Sequence, residues 1–302
     1  MRTRPGKYFM LTGSALSKKT IFFTFLLITI LPKLSAQITQ AGRIELSMDN
    51  GQEGERFKAI SLDKSGIMVY RRLSSKPEDQ LELTKMDTTL KENWKGFISV
   101  PKNLVLGHVQ YNKEAQILFL LFKQQYYLGG DFQMVSVRVA SGKFGTYTIK
   151  NLIPFTPTEF VISGTAAVIG GYFNYRPIVL YYNFNLQQSK ILPGFFNEQG
   201  EINQLKAYPD GSLDVVVCAR NLEKKKSLWI RNYDPMGELI KTTTLQPEEN
   251  KNLLFGRSVK LAMENRLLRG CTAGSPIIHV EFSSQGSMPS VNMESATIIS
   301  VS

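Results

Sequence analysis

Two series of strand-like segments recur along this chain at a spacing near 49 residues, and that repeat limits the folds open to it. The first series is apolar, at residues 67–70, 117–122, 166–169, 213–218 and 267–271, with starts 50, 49, 47 and 54 residues apart. Each member follows a turn: Asp63-Lys64-Ser65-Gly66, Asn112-Lys113-Glu114, Ser163-Gly164, Pro209-Asp210-Gly211 and Glu264-Asn265. Gly tolerates positive φ, and Asp and Asn bond their own backbone, so these residues reverse a chain. The second series trails the first and ends on a bulky apolar residue before a polar or small turn. Those residues are Met86, Val139, Phe184, Tyr233 and Phe282, spaced 53, 45, 49 and 49 apart.

Each unit holds two more strands. An earlier one recurs at 57–62, 104–109, 160–162, 202–207 and 258–261, and a later one at 94–100, 146–149, 189–192 and 239–245. Four strands joined by tight turns in some 49 residues make a β-propeller blade. A single four-stranded sheet cannot bury both of its faces, whereas blades stacked around an axis can. Stacked β-sandwich domains, the competing fold, need about 100 residues and seven strands each and would not repeat at this period. The expected fold class is therefore all-β: a propeller of about five four-stranded blades, its ring either closed or incomplete. The expected organisation is a signal peptide over 1–36 and a propeller domain over 37–302. Its repeat units lie near 50–100, 101–153, 154–200, 201–249 and 250–302. The Ser-rich tail reads as an atypical last blade, with a strand at 43–48 available to pair beside it and close the ring.

Residues 1–36 carry Arg2, Arg4, Lys7, Lys18, Lys19 and Lys33 and no acid. An unbroken run of 11 mostly apolar residues, 21–31, follows the Lys18-Lys19 pair; Pro32 ends it, and Leu34-Ser35-Ala36 precedes Gln37. A basic segment, a short apolar segment and a small-residue site in that order make an export signal. A membrane-spanning helix needs about 20 apolar residues. The expected location is beyond the inner membrane: periplasmic, outer-membrane-associated or extracellular. The mature part has no second apolar run long enough to span a membrane.

Export also accounts for most of the positive charge. The chain has 36 basic and 25 acidic residues, and the signal holds 6 of the basic and none of the acidic, so the remainder carries 30 against 25, or +5. The high pI is therefore no sign of a nucleic-acid partner. Its densest basic cluster, Lys224-Lys225-Lys226, reads as a solvated loop. Two cysteines, Cys218 and Cys271, are too few for a disulfide scaffold; they either pair or serve as small buried hydrophobes.

In its export signal and four-strand units the chain resembles exported bacterial β-propeller proteins of the kelch- and WD40-like sort, over about 40–302. The resemblance is one of pattern. Asp87, Asn185 and Asp234 approach the end of a WD dipeptide without its Trp, and Gly129-Gly130 and Gly170-Gly171 fall at different points of their units. It implies architecture rather than chemistry.

Chemistry-bearing residues are few. His108 and His279 are the only histidines, and neither has a second His at metal-ligand spacing, so no metal site and no cofactor are expected. His108 falls on a first strand, which in a propeller lines the axis. Asp63, Asp87, Asp210 and Asp234 recur in turns, where Asp serves the backbone. Aromatic and glycine residues cluster in two loops, 126–132 and 170–176. These suit stacking on sugar rings or anchoring a protein partner, although packing between blades explains such residues more simply. No catalytic residue is assigned. The expected function is an exported non-catalytic binding or scaffold module for a protein or carbohydrate ligand; the alternative is a propeller-type glycoside hydrolase or other hydrolase. Convergence of carboxylates among Asp63, Asp131, Asp210 and Glu159 in an axial pocket favours hydrolysis. An axial pocket of aromatics and neutral polar groups favours binding.

Overall fold

The repeat folds as a succession of antiparallel meanders. The computed structural model describes residues 43–46, 56–195, 199–220, 226–245, 253–260, 266–272 and 275–282. The first sheet is β1 (Lys58–Ser61), β2 (Ile67–Leu73), β3 (Asp79–Met86) and β4 (Glu92–Val100). The second is β5 (Leu104–Asn112), β6 (Ile117–Gln124), β7 (Phe132–Arg138) and β8 (Phe144–Ile149). The third is β9 (Thr156–Ser163), β10 (Ala166–Phe173), β11 (Arg176–Asn183) and β12 (Gln188–Ile191). The fourth is β13 (Gly200–Ala207), β14 (Leu213–Arg220), β15 (Lys226–Tyr233) and β16 (Leu239–Leu245). The fifth has three strands among the described residues: β17 (Leu253–Lys260), β18 (Arg266–Thr272) and β19 (Ser275–Phe282). The fold is all-β and propeller-like, with four full blades and a three-stranded fifth sheet.

Stacking explains why the second strand of each unit reads as a continuous apolar run. Along β6, Leu118, Leu120 and Phe122 enter a core shared with the first sheet, while Phe119 and Leu121 enter one shared with the third. Along β10, Ala167 and Ile169 face the second sheet, and Ala166 and Val168 face the fourth. A strand buried on both faces loses the apolar–polar alternation of a half-exposed one. Each of the three interfaces among the first four sheets therefore has its own hydrophobic core, and nearest-neighbour stacking supplies the burial that one blade lacks.

The period is also visible in the polar bonds between blades. Trp94 Nε1 donates to the Val139 carbonyl at 2.9 Å, and Ser65 Oγ donates to Gln116 Oε1 at 2.9 Å. Ser163 Oγ donates to the Gly211 carbonyl at 2.6 Å, and Tyr181 hydroxyl to the Pro235 carbonyl at 2.6 Å. These pairs are 45, 51, 48 and 54 residues apart, so equivalent turns of successive blades hold one another. Inside the first blade, Glu82 is buried between Arg71 (2.7 Å) and Lys95 (2.5 Å).

Two expectations need correction. Residues 43–46 form no strand: Arg43 pairs with Glu45 at 2.8 Å, and Ile44 and Leu46 stay exposed. The alternation there is that of a strand, but a strand forms only against a partner edge. The starts of β9 and β17 were not legible, because Thr156-Pro157-Thr158-Glu159 is polar and a bulge interrupts each strand. The export signal at 1–36, Lys224 and Lys225, and the tail beyond 282 lie outside the described residues. No helix among the described residues is long and apolar enough to cross a membrane.

Candidate functional site

The first strands of the sheets stand side by side, β5 against β9, β9 against β13 and β13 against β17, and so form the inner wall. Each of these four strands carries a β-bulge near its start. Gly107 is the extra residue in β5, Thr158 in β9, Asn203 in β13 and Leu254 in β17. A bulge bends the strand and re-aims the side chains beside it. In a meander the connections between second and third strands lie at the end where the first strand begins. The bulges, the β6–β7 and β10–β11 hairpins and the β8–β9 connection therefore gather at one end of the blades.

Gly170-Gly171 make that end possible. A Cβ on Gly171 would sit 2.1 Å from the Thr156 carbonyl oxygen and 2.6 Å from Phe155 Cδ2, and one on Gly170 would press on Leu205 and Ile202 of the next blade. The pair answers two close approaches, one to the bulged strand and one to the neighbouring sheet, rather than forming a family signature.

A cavity of about 540 Å³ opens here between the third and fourth sheets, lined by Tyr172, Tyr175, Gln199, Gly200, Glu201, Cys218, Ala219 and Lys226. Tyr172 bridges the blades: its hydroxyl accepts the Ile202 N–H at 2.7 Å. Burial pushes that hydroxyl above its ordinary pKa; the Ile202 N–H pulls it back, and the carboxylates of Glu201 and Glu159 push it further up. Glu159 and Glu201, on the inner strands of adjacent blades, are both exposed to solvent. Cys218 is a buried thiol raised by burial and by Glu201 and lowered by Lys226.

His108 extends this line of groups onto β5. Its ring packs 6.4 Å from that of Phe160. Burial lowers its pKa, a hydrogen bond to Pro157 and the Glu159 carboxylate raise it, and Lys123 lowers it again. Pro has no N–H, so the imidazole is the donor and the Pro157 carbonyl the acceptor. His108 therefore ties the bulged part of β9 to β5 beneath Glu159. The other histidine, His279, lies on β19.

The turn carboxylates do not join this site. Asp87 Oδ1 accepts the Thr89 and Lys91 N–H groups at 2.8 and 3.0 Å, and Asp234 Oδ1 accepts those of Met236 and Glu238 at 2.8 Å each. Asp210 Oδ1 accepts the Ser212 N–H at 2.9 Å, and Asp63 pairs with Lys113 at 3.1 Å. These turns are at the opposite end of the blades from Glu159. Asp131, on the β6–β7 loop, accepts the Asn151 N–H at 2.9 Å. Of the four carboxylates singled out in the sequence, only Glu159 lies on an inner strand beside its bulge, and the cavity is lined instead by Glu201. Glu201 carries no repeat signal: Glu159 pairs with Gly170, the fifth residue of β10, whereas Glu201 pairs with Cys218, the sixth of β14. Among the described residues no group of three or more His, Cys, Asp or Glu side chains is placed to hold a metal ion.

The aromatic loops divide in two. Phe132 packs inside, its ring 5.6 Å from Phe155, as inter-blade packing requires. Tyr126, Tyr127 and Tyr175 are 89, 65 and 86% exposed and cement no interface.

No protein-family model matches the chain, and no curated protein matches it. Among solved structures it is similar to cobalt-substituted apocarotenoid oxygenase from Synechocystis, at 8% identity and a TM-score of 0.41, over 72% of this chain and 56% of that one. It is similar to dipeptidyl peptidase 4 from Porphyromonas gingivalis, at 9% identity and a TM-score of 0.46, over 74% of this chain and 34% of that one. Prolyl oligopeptidase B from Galerina marginata matches at 11% identity and a TM-score of 0.43, over 74% of this chain and 32% of that one. The chain spans little more than half the length of the oxygenase and about a third of the peptidases. These are likenesses of fold. The expected non-catalytic binding or scaffold module is corrected on the lining of the cavity, which holds the ionisable groups Glu201 and Lys226 beside two tyrosines rather than neutral groups alone.

Proposed function

We propose that this chain is a propeller-type glycoside hydrolase, exported and acting on glycan outside the inner membrane, with Glu159 and Glu201 as its carboxyl pair. One observation carries the reading: Glu201 and Lys226 stand beside Tyr172 and Tyr175 in the lining of a cavity of about 540 Å³, with Glu159 exposed on the neighbouring inner strand β9. Glycoside hydrolysis needs two carboxyl groups flanking the scissile bond. One protonates the glycosidic oxygen as the C–O bond breaks. The other takes the proton of the attacking water, or attacks the sugar itself and is released by water. Tyr172 stays protonated at neutral pH and has its own proton to offer an oxygen of the sugar. The export signal read at 1–36 supports this reading, since structural glycans lie outside the inner membrane.

The test is reducing-end release from a panel of α- and β-linked polysaccharides by the full chain and by its E159Q and E201Q variants. The expected result is release by the parent and a loss of roughly 10²–10⁴-fold in each variant. Both glutamates are exposed, so the variants should melt with the parent, within about 0.5 kcal/mol in stability. Equal release by parent and both variants, or no release from any member of the panel, refutes the assignment.

A further inference from the structure

The β10–β11 hairpin breaks a local rule at one residue. Phe173 and Arg176 pair directly, leaving Asn174 and Tyr175 as the two central turn residues, at φ 47° and 63°. A two-residue turn with both centres left-handed is most stable as Asn-Gly. Asn174 fits that preference, but Tyr175 occupies the glycine position and has its Cβ in the disfavoured region. Its side chain is 86% exposed, so packing does not offset the cost. A strained residue with no structural return points to function. Tyr175 also lines the cavity.

The adjacent blade presents the same kind of group at the same end. On the β6–β7 loop Tyr126 is 89% and Tyr127 65% exposed, and Tyr126 and Tyr175 are the most exposed large apolar side chains among the described residues. The loop backbone is nevertheless braced. Asn151 Nδ2 donates to the Leu128 carbonyl at 2.8 Å and to the Gly130 carbonyl at 3.3 Å, and the Gln125 N–H donates to the Asn103 carbonyl at 2.9 Å. Rigid backbone under exposed tyrosines is a preorganised contact surface, because a tyrosine loses little rotamer freedom on binding. The turns at the opposite end, such as Asp63-Lys64-Ser65 and Asn112-Lys113-Glu114, are polar.

We propose that Tyr175, with Tyr126 and Tyr127 on the neighbouring blade, is a stacking platform for successive sugar rings of a glycan chain that runs into the cavity. The ring faces take the apolar C–H faces of the sugars, and Gln199, Glu201 and Lys226 meet the hydroxyl groups of the residue at the cavity. This assignment rests on the hydrolase reading of that cavity.

Binding of cellohexaose, laminarihexaose, chitohexaose and maltohexaose to the E159Q chain is measured by calorimetry, alongside a mixture of unstructured hexapeptides. The same titrations are made with Y175G, Y175F and Y126A/Y127A on that background. At least one hexasaccharide should bind; Y175F should keep that affinity, and Y175G should lose about 10-fold, the equivalent of one lost anchor. Y175G should keep or raise the melting midpoint, since glycine relieves the left-handed turn. That outcome separates a binding role from a structural one. Undiminished affinity in Y175G, binding of peptides alone, or no binding of any hexasaccharide overturns the platform. If the parent chain cleaves a hexasaccharide that Y175G binds equally well, the platform fails and the hydrolase reading stands. If Y175G weakens binding but the parent never cleaves what it binds, the hydrolase reading fails and the platform stands.

Discussion

Replacing Glu82 by Gln should destabilise the first blade by about 2–3 kcal/mol at neutral pH. The carboxylate is 4% exposed and receives Arg71 Nε at 2.7 Å and Lys95 Nζ at 2.5 Å. Arg71 is itself only 11% exposed, and the Phe57 ring lies 4.3 Å from its guanidinium carbon. Breaking a buried pair by removing one charge costs roughly 3–5 kcal/mol, because the other charge stays behind uncompensated. A glutamine oxygen can still accept one hydrogen bond from Arg71, which reduces that cost. Lys95 is 41% exposed, so water screens its share and it adds little. At roughly 2–4 °C per kcal/mol for a domain of this size, the midpoint should fall by about 5–10 °C.

The pH dependence follows from the same contacts. Burial raises the Glu82 pKa, but the hydrogen bonds and charges of Lys95 and Arg71 outweigh it and hold the group below its ordinary 4.5. A carboxyl with a depressed folded pKa gives stability that is present above the unfolded value and is lost as pH falls through the folded one. The gap between parent and E82Q should therefore be full at pH 7 and close as pH drops below about 4.5. Thermal and urea unfolding of both chains from pH 7 to pH 3 measures it. A second variant, R71M/E82L, removes both buried partners together and should cost much less than E82Q. A difference under about 0.5 kcal/mol at pH 7, or a gap that persists unchanged at pH 3, refutes the reasoning.

Two other substitutions probe how the blades are held. Gly171→Ala places a Cβ 2.1 Å from the Thr156 carbonyl, and neither backbone can yield cheaply. It should cost more than about 3 kcal/mol in urea unfolding, and a near-neutral result would show that the bulge of β9 is loose. Trp94→Phe deletes the bond from Nε1 to the Val139 carbonyl while keeping an aromatic ring. About 1 kcal/mol, with loss of solvent protection of the β8 amides before those of β12 in hydrogen exchange, is the expected result.

Much of the architecture was legible because it is periodic. The apolar segments at 67, 117, 166 and 213 begin β2, β6, β10 and β14 as the sequence suggests. Asp87, Asp210 and Asp234 serve their turns through the backbone contacts their residue type prefers. The site was less legible. Glu159 was noticed as one carboxylate among several, and Glu201 was passed over, since neither belongs to a motif. They stand 42 residues apart on the inner strands β9 and β13, each of which is interrupted by a bulge. Bulges leave only a faint trace in composition, a break in alternation that reads as noise in a short polar strand. Tyr175 was visible as an aromatic but not as an outlier. Its left-handed φ is a property of the hairpin register, with Phe173 paired to Arg176.

The repeat determined by itself that this chain is built from four-stranded units needing neighbours, because side-chain period and turn chemistry are local and survive in one dimension. Only the tertiary structure decided which residues share a cavity. Stacking sets Tyr172 against Ile202 across a blade interface and lines the cavity beside it with Glu201, Cys218 and Lys226. Those neighbours are fixed by the angle between sheets and the position of each bulge, quantities that arise from packing among blades and are not carried by any single segment.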